Sequence, residues 1–345
     1  MHKIDFVLPW VDGNDSQWIA QKEKYTNSTN SQKDTHIQSR FRDMNTLKYV
    51  LRSIEQHAPW YNKIYLITTG HTPPWLELSH PKIELVRHDE FFIDKSALPV
   101  FNSSAIEMNL VNINGLADNF IYLNDDTIII QPVNKDRFFR NGKVVDFFCH
   151  GWIPRGELFS KIKGRDTWVD SLNNNLKLIN KDYNSLHLNK EMLYSSNYSM
   201  KCKISNFIYK NFYKELFWIT HWHHPQPYTK KTIESVYNKY KDELIACSHN
   251  RFRSNKDLTQ YIYRYWHLIN GDFIPYNHND GFVAKISSLE YLSKTRDFLN
   301  NSKNINFVCF NDQMNSVSDE EFNKCRVFLT NYLETIFSKK ASFEN

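Results

Sequence analysis

The chain has 345 residues, of which 41% are hydrophobic, 23% charged and 15% aromatic. This composition is typical of a globular protein and excludes a disordered, collagen-like or coiled-coil chain. Basic residues exceed acidic ones by 43 to 38, which does not favour nucleic-acid binding but is compatible with a local pocket for an anionic ligand. The length predicts one large domain or two moderate ones.

The five cysteines are scattered along the sequence and form no Cys-x-x-Cys pair. An odd number of isolated cysteines predicts a reducing compartment, with neither a disulfide framework nor a zinc site. No apolar run has the length of a membrane span, and the N-terminal residues lack the apolar core of a signal peptide. We therefore expect a cytoplasmic protein, and peripheral contact with the inner face of the membrane stays open.

The first third of the sequence alternates short apolar runs with amphipathic segments. Runs of β-branched and aromatic residues predict strands at Ile4–Val11, Lys63–Thr69, Ile83–Val86 and Asn119–Leu123. Apolar residues spaced three and four apart predict a helix at Leu47–Ile54; a second helix is expected at about 104–114, and polar residues 19–40 are expected to form a mobile loop. This succession predicts a mostly parallel sheet with helices on both faces and ligands beyond the carboxyl ends of its strands.

The rest of the chain is expected to be largely helical. Residues 151–215 are interpreted as an inserted helical or lid region. Helices are also predicted around Ile233–Tyr240, Leu258–Tyr265 and Ser318–Ile336. We therefore divide the chain into parts at 1–150, 151–215 and 216–345, which are expected to form one composite domain.

Acidic residues follow two of the predicted strands. Asp125 and Asp126 come directly after Asn119–Leu123, and such hard oxygen donors at a strand end are used to hold Mg²⁺ or Mn²⁺ against a diphosphate. The alternative is an exposed pair of carboxylates in a turn, without a metal. Asp312 follows the apolar run Phe307–Phe310 in the same way and is a weaker candidate.

Histidines and arginines mark two further segments. Residues 221–227 contain three histidines and two prolines; the prolines impose extended backbone, so neighbouring side chains point apart. This favours one catalytic histidine over a metal cluster, with a structural role as the alternative. Arg251 and Arg253 precede a predicted helix start, where they would either bind phosphate or form a solvated basic turn. No P-loop, dinucleotide-binding or nucleophile-elbow motif occurs, so phosphate would be held by side chains and metal.

Four sequence blocks, in this order, resemble the Stealth family of sugar-1-phosphate transferases. They are IDFVLPWVDGNDSQW (4–18), the segments 40–76 and 101–126 ending in YLNDD, HWHHPQP (221–227) with HNRFRSNKDL (249–258), and CFNDQ (309–313). The resemblance implies an α/β fold of Rossmann-like (GT-A-like) type, with residues 1–150 binding the nucleotide-sugar. It implies transfer of a hexose-1-phosphate or N-acetylhexosamine-1-phosphate from a UDP-sugar to a hydroxyl of a glycan acceptor, with release of UMP.

The implied setting is the synthesis of capsule or another cell-surface polysaccharide. The acceptor glycan would be free or lipid-linked, other polysaccharide-synthesis enzymes are expected partners, and no nucleic acid is expected. An ordinary metal-dependent glycosyltransferase is the nearest alternative; it would use the same donor but release UDP. A non-catalytic glycan-binding protein, with aromatic residues stacked on sugars, is the alternative outside enzymes.

The resemblance also implies roles for individual residues. It implies a substrate pocket that includes Trp10, Gly13, Asp15, Arg42, Arg52, Asn102, Ser103, Glu107, Asn124 and Asp257. It implies Mg²⁺ or Mn²⁺ ligands at Asp125, Asp126 and Asp312, and catalytic roles for Asp126, His223 and Arg253. Asp12 is a further catalytic candidate. Because His224 follows His223 directly, the choice between them stays open, and an Asp of the first or fourth block is the candidate base if neither acts. The family's Asn-Glu-Leu is Asn-Thr-Leu here at 45–47, so an acidic role is lost there.

Overall fold

The computed structural model describes residues 3–26, 42–151, 155–164, 166–183, 188–315 and 317–345. Its strands, in chain order, are β1 (Ile4–Pro9), β2 (Ile64–Thr68), β3 (Ile83–Arg87), β4 (Asn119–Tyr122), β5 (Thr127–Ile129), β6 (Phe139–Arg140), β7 (Lys143–Asp146), β8 (Gln226–Thr229), β9 (Phe273–Pro275), β10 (Gly281–Ile286) and β11 (Phe307–Asp312). Its helices are α1 (Ser16–Thr26), α2 (Leu47–His57), α3 (His88–Phe91), α4 (Ser103–Glu107), α5 (Glu157–Lys163), α6 (Thr167–Asn180), α7 (Lys190–Tyr194), α8 (Met200–Phe212), α9 (Lys230–Ser248), α10 (Tyr261–Asn270), α11 (Leu289–Asn301) and α12 (Asp319–Ile336).

The largest sheet has the strand order β3-β2-β1-β4-β8. Its first four strands are parallel, and β8 runs antiparallel to β4 at the edge. Every residue of β2 and β4 is buried, as expected for parallel strands that are covered on both faces. The α/β class and the mostly parallel sheet predicted from the sequence are therefore confirmed.

A second sheet has the strand order β10-β11-β5, and its strand β5 follows β4 of the first sheet along the chain. The chain leaves β4, passes through Asp125 and Asp126, and enters β5, which pairs antiparallel with β11 so that Cys309 lies opposite Thr127. The backbone N–H of Phe310 also donates to the carbonyl of Asp126, 2.8 Å away. The acidic turn is therefore held between two sheets.

The prediction of a mobile loop at 19–40 is wrong for residues 19–26, because these residues belong to α1. The Asp15 carboxylate starts this helix by accepting from the backbone N–H of Trp18 at 2.6 Å. The Trp18 ring then packs on Phe101, with 5.5 Å between ring centroids. Polar composition alone did not reveal this anchor, and residues 27–41 lie outside the described residues.

The helix expected at about 104–114 is also shorter than predicted, since α4 ends at Glu107 and a 3₁₀ turn follows at Leu110–Asn112. The side-chain amide of Asn109 donates to the carbonyl of Ala105 and to the hydroxyl of Ser248, at 2.8 and 2.9 Å. Asparagine side chains that bond in this way compete with helical structure. The segment therefore turns toward β4 early.

The predicted helical character of 151–215 is confirmed by α5 to α8 over the part that the structure describes. Leu172 and Leu176 of α6 belong to the same hydrophobic core as Leu8 of β1 and Leu329 of α12. This shared core favours one composite unit, while the boundaries between the three parts stay a prediction. Among the described residues, no helix combines the length and apolarity needed to span a membrane.

Arg52, which was predicted to lie in the substrate pocket, makes buried structural contacts, and its predicted substrate role stays a prediction. Its side chain is 3% exposed, and its Nε and Nη2 donate to the two carboxylate oxygens of Glu344 at 2.6 and 2.8 Å. Its Nη1 donates to Glu334 and to the carbonyl of Phe337. Arg52 thus ties α2 to the C-terminal end of the chain.

We expect Arg52→Leu to lower the free energy of unfolding by about 3–5 kcal/mol, because it leaves the buried carboxylate of Glu344 without its guanidinium partner. Urea denaturation followed by circular dichroism measures this change. Lys63→Gln is the control, since it removes an exposed pair with Glu84 and should cost no more than about 1 kcal/mol. Equal losses in the two variants would contradict the structural role of Arg52.

Candidate active site

Four carboxylates meet beyond the carboxyl ends of β1 and β4. Asp12 follows β1, Asp125 and Asp126 follow β4, and Asp43 precedes α2. The pKa of Asp125 is raised well above its usual range by burial and then by the charges of Asp126 and Asp43. Burial also raises the pKa of Asp43, with a further contribution from Asp12. These residues form an acidic cluster in which negative charges repel one another, and a bound cation would relieve that repulsion.

Asp43 was missed by the sequence reasoning. It follows neither a predicted strand nor a recognisable pattern, and only the approach of the segment before α2 to the acidic turn brings it into the cluster.

At one edge of this cluster, three different side chains that could bind a metal ion lie together. The ligand atoms of Asp126, His223 and Cys309 all lie within 4.8 Å of one another. The Cys309 thiol donates to Asp126 Oδ2 at 3.2 Å, and the Thr127 hydroxyl donates to Oδ1 at 3.1 Å. Burial and the nearby Asp126 charge hold the pKa of Cys309 well above its usual range, so the thiol keeps its proton and acts as a donor.

Cys309 was also missed as a site residue, because its place depends on the pairing of β11 with β5. Because β5 and β11 are far apart in the sequence, the residues that face each other across this pairing could not be predicted. A cysteine two residues before the Asn311-Asp312 motif was the one available signal.

The two adjacent histidines lie in different surroundings. The His223 ring faces Asp126, whereas the His224 ring lies near the ion pair of Arg137 and Asp280. His224 Nδ1 donates to the carbonyl of the next residue at 2.7 Å. Burial, and then the charge of Arg137, lowers the pKa of His224 to about 4. The described geometry therefore favours His223 for proton transfer at the acidic cluster.

Arg253 belongs to a second group of side chains, beside α4. Its Nη2 donates to the hydroxyl of Ser103 at 3.3 Å. The buried carboxyl of Glu107 accepts from the backbone N–H of Gln260 at 2.8 Å and from the Tyr122 hydroxyl at 3.2 Å. Burial raises the pKa of Glu107 to about 7, an effect opposed by the Gln260 N–H and by Arg253. Glu107 thus links the end of β4 to the start of α10.

Asn102 and Asp257 fix the loop that carries Arg253. The Asn102 amide donates to Asp257 Oδ2 and to the carbonyl of Asn250, both at 3.0 Å. The backbone N–H of Ser254 donates to the same Asp257 oxygen at 2.9 Å. Burial raises the pKa of Asp257 to about 6.

Asn102, Glu107 and Asp257 are all buried, and the contact with substrate predicted for them stays a prediction. Their bonds make them positioning residues for Arg253. Arg251 is structural as well, since its Nε donates to the carbonyl of Pro99 at 2.7 Å.

Asp312 and Arg42 bind each other. Arg42 Nη2 lies 2.9 Å from Asp312 Oδ2, and both side chains are largely buried. Asp312 Oδ1 accepts from the backbone N–H of Met314 at 2.8 Å. This pairing occupies both side chains in the described structure, and the metal role predicted for Asp312 and the substrate role predicted for Arg42 stay predictions. Strand-end position suggested the metal, but the pairing partner lies too far away in sequence to be anticipated.

The loop after β1 lies beside the acidic cluster. The backbone N–H of Asp12 donates to His71 Nε2 at 2.9 Å, and the Asp12 carboxylate accepts from the N–H of Asn14 at 2.9 Å. The Trp10 ring meets the edge of the His71 ring at 5.1 Å. Asp15 is used to cap α1, as described above. The roles predicted for Trp10, Asp12, Gly13, Asp15 and Asn124 toward a substrate stay predictions.

Comparison with known proteins adds independent information. Two family models match the sequence: Stealth protein CR1, conserved region 1, over residues 2–29, and Stealth protein CR2, conserved region 2, over residues 40–147. The capsular polysaccharide phosphotransferase WcwK of Streptococcus pneumoniae is 32% identical, with 100% of this chain and 98% of the relative covered. The exopolysaccharide phosphotransferase cps2G of Lactiplantibacillus plantarum is 30% identical, with 99% and 96% covered. The receptor polysaccharide phosphotransferase WefC of Streptococcus gordonii is 31% identical, with 100% and 99% covered.

Among solved structures, the chain is similar to the galactosyltransferase LgtC in complex with donor and acceptor sugar analogs. The two share 10% sequence identity, with 96% of this chain and 95% of the other covered, at a TM-score of 0.37.

Proposed function

Because this chain belongs to the Stealth family, we propose that it transfers a sugar-1-phosphate from a UDP-sugar to a hydroxyl of a glycan acceptor, with release of UMP. The product would be a phosphodiester in a capsular or other cell-surface polysaccharide. The observation that carries the proposal is the meeting of His223 with Asp126 at the edge of the acidic cluster. The relatives support the less specific conclusion that the chain is a transferase in polysaccharide synthesis.

The acidic cluster is suited to a divalent cation. Asp125 and Asp126, with Asp12 and Asp43 close by, offer the hard oxygen donors that Mg²⁺ and Mn²⁺ prefer. Burial raises the pKa of Asp125 most, and the charges of Asp126 and Asp43 raise it further; a cation would relieve that repulsion. When bound, the ion would neutralise charge on the donor diphosphate. Cys309 is a protonated hydrogen-bond donor in this scheme and a positioning residue for Asp126.

The protein side chains would supply the rest of the chemistry. His223 would take the proton from the acceptor hydroxyl as its oxygen attacks phosphorus, and Asp126 would stabilise the resulting imidazolium. Arg253 would bind the phosphate oxygens, which carry the charge of the transition state. The phosphorus–oxygen bond to UMP breaks while the sugar C1–O bond stays intact. The donor's anomeric configuration would therefore be retained.

A glycan acceptor carried on a lipid would bring the cytoplasmic enzyme to the inner face of the membrane. Other polysaccharide-synthesis enzymes would then act on the same acceptor, and Mg²⁺ or Mn²⁺ would be the cofactor.

Identification of the leaving nucleotide tests the proposed reaction. The full chain is incubated with each UDP-sugar, an acceptor oligosaccharide and Mg²⁺ or Mn²⁺, and nucleotides are separated by chromatography. Release of UMP with a phosphodiester signal in ³¹P NMR is the expected result. Release of UDP without phosphorus in the product would establish the glycosyltransferase alternative. Glycan binding without turnover of any UDP-sugar would favour the glycan-binding alternative.

We expect Arg253→Lys to be nearly as damaging as Arg253→Ala, with a fall in kcat/KM of about 10–100-fold. A planar guanidinium can hold two phosphate oxygens while it contacts Ser103, and an ammonium cannot reproduce that fork. Steady-state UMP release measures the effect. Arg251→Lys is the control, because Arg251 bonds to a backbone carbonyl away from the proposed chemistry. Near-normal activity of Arg253→Lys would show that only a positive charge is required there.

A further inference from the structure

Helix α8 has a buried face and, on the opposite side, an exposed apolar face. Its buried stripe consists of Cys202, Ser205, Asn206 and Tyr209, at the spacing of one helix face. On the other side, Met200, Ile204 and Phe207 repeat at i, i+4 and i+7 and are 70%, 46% and 55% exposed. Phe212 at the end of the helix is also 75% exposed, but it lies to one side of this face, and the Tyr213 ring packs on Phe217. Large apolar side chains grouped on one exposed face mark a binding surface.

The charged residues of α8 itself are all lysines, and the exposed Glu215 follows Lys214 beyond the helix. Residues 200–214 contain lysines at positions 201, 203, 210 and 214 and no acidic residue. Lys201 and Lys203 stand on the flanks of the apolar stripe, because each lies about 100° around the helix from its neighbour in sequence. Aliphatic lysine stems can follow apolar side chains while the ammonium groups stay at the polar boundary. This arrangement is complementary to an apolar layer covered by negative charge.

The buried side of α8 connects the surface to the candidate active site. The Asn206 amide donates to the carbonyl of Phe148 at 2.9 Å, and its oxygen accepts from the N–H of His150 at 2.8 Å. The carbonyl of Cys149, between them, accepts from the N–H of Thr220 at 2.7 Å. Thr220 leads directly into the segment that carries His223. The helix is therefore fixed to the backbone next to the proposed base.

We propose that the outer face of α8 binds the anionic surface of a phospholipid bilayer. Met200, Ile204 and Phe207 would enter the boundary between headgroups and acyl chains, while the four lysines bind anionic headgroups. This would hold the active site beside an acceptor carried on lipid. The membrane location rests on the proposed function only for the lipid-linked acceptor. The structural basis for membrane binding is the surface of α8, and vesicle binding can be measured without any turnover.

Co-sedimentation of the full chain with lipid vesicles tests the proposal. We expect binding to vesicles of phosphatidylcholine with phosphatidylglycerol, weak binding to phosphatidylcholine alone, and weaker binding as salt is raised. The double variant Met200→Glu with Phe207→Glu should reduce the partition by about tenfold or more. Val327→Glu is the matched control, since Val327 on α12 is 56% exposed and lies outside this face. Circular dichroism checks that each variant is folded.

A second variant, with the four lysines changed to Gln, separates charge from apolar insertion. It should lose the preference for phosphatidylglycerol while its fold is unchanged. Absence of binding by the unmodified chain, or full binding by the double variant, would overturn the proposal. So would a dimer in light scattering that the double variant abolishes without any vesicle binding, because the face would then bind a second copy. Transfer to a soluble acceptor should be unchanged in both variants, so lipid binding and the proposed reaction can fail separately.

Discussion

Asp126→Asn should lower turnover by about 10³-fold while the fold stays intact. A catalytic metal supplies several kcal/mol of transition-state stabilisation, and each 1.4 kcal/mol is a factor of ten in rate. Asparagine keeps the shape of the side chain and one of the two acceptor oxygens, so it can still accept from either Cys309 or Thr127, but it removes the charge that binds the cation. UMP release across a titration of Mg²⁺ or Mn²⁺ measures the effect, and calorimetry with Mn²⁺ measures the affinity directly.

Asp312→Asn is the matched control for this experiment. Its carboxylate is paired with Arg42, so the variant should lose some stability but keep its affinity for Mn²⁺. A large loss of metal affinity in Asp312→Asn would instead support the ligand role that the family resemblance implies for Asp312. Full activity of the unmodified chain in excess chelator would refute the metal requirement as a whole.

His223→Ala should lower turnover by about 10²–10⁴-fold, the usual contribution of a positioned base, while UDP-sugar affinity is largely kept. His224→Ala should have a milder effect, because its ring is directed toward Arg137 and its Nδ1 is bonded to a backbone carbonyl. Turnover is measured by UMP release, and donor affinity by calorimetry. The comparison uses two adjacent residues of the same type, so a general disturbance of the loop would affect both variants alike.

The same pair of variants separates two roles for His223. A base can be removed without loss of Mn²⁺ affinity, whereas a metal ligand cannot. If His223→Ala loses turnover and Mn²⁺ affinity together, the imidazole is a ligand beside Asp126 and the base lies elsewhere, with Asp12 as the next candidate. If His224→Ala is the inactive variant, His224 and not His223 is the base.

Much of the fold followed from local patterns in the sequence. The apolar runs that form β1, β2 and β4 and the amphipathic repeat of α2 are set by residues within one turn or one strand. The position of Asp125 and Asp126 beyond β4 followed as well, since polar residues after a buried strand lie at the sheet's carboxyl edge. The family followed from four motifs in order, because each motif is a continuous stretch of chain.

The tertiary structure alone decided which distant groups meet. Cys309 reaches Asp126 through the register of β11 on β5, and Asp43 approaches Asp125 from the segment before α2. Patterns of three to seven residues carry no information on such pairings. For the same reason, the sequence did not reveal that Arg52 and Arg42 each bind a buried carboxylate nearly 300 residues away. The exposed face of α8 was likewise invisible in a polar, lysine-rich stretch until the fold determined which side of the helix is buried.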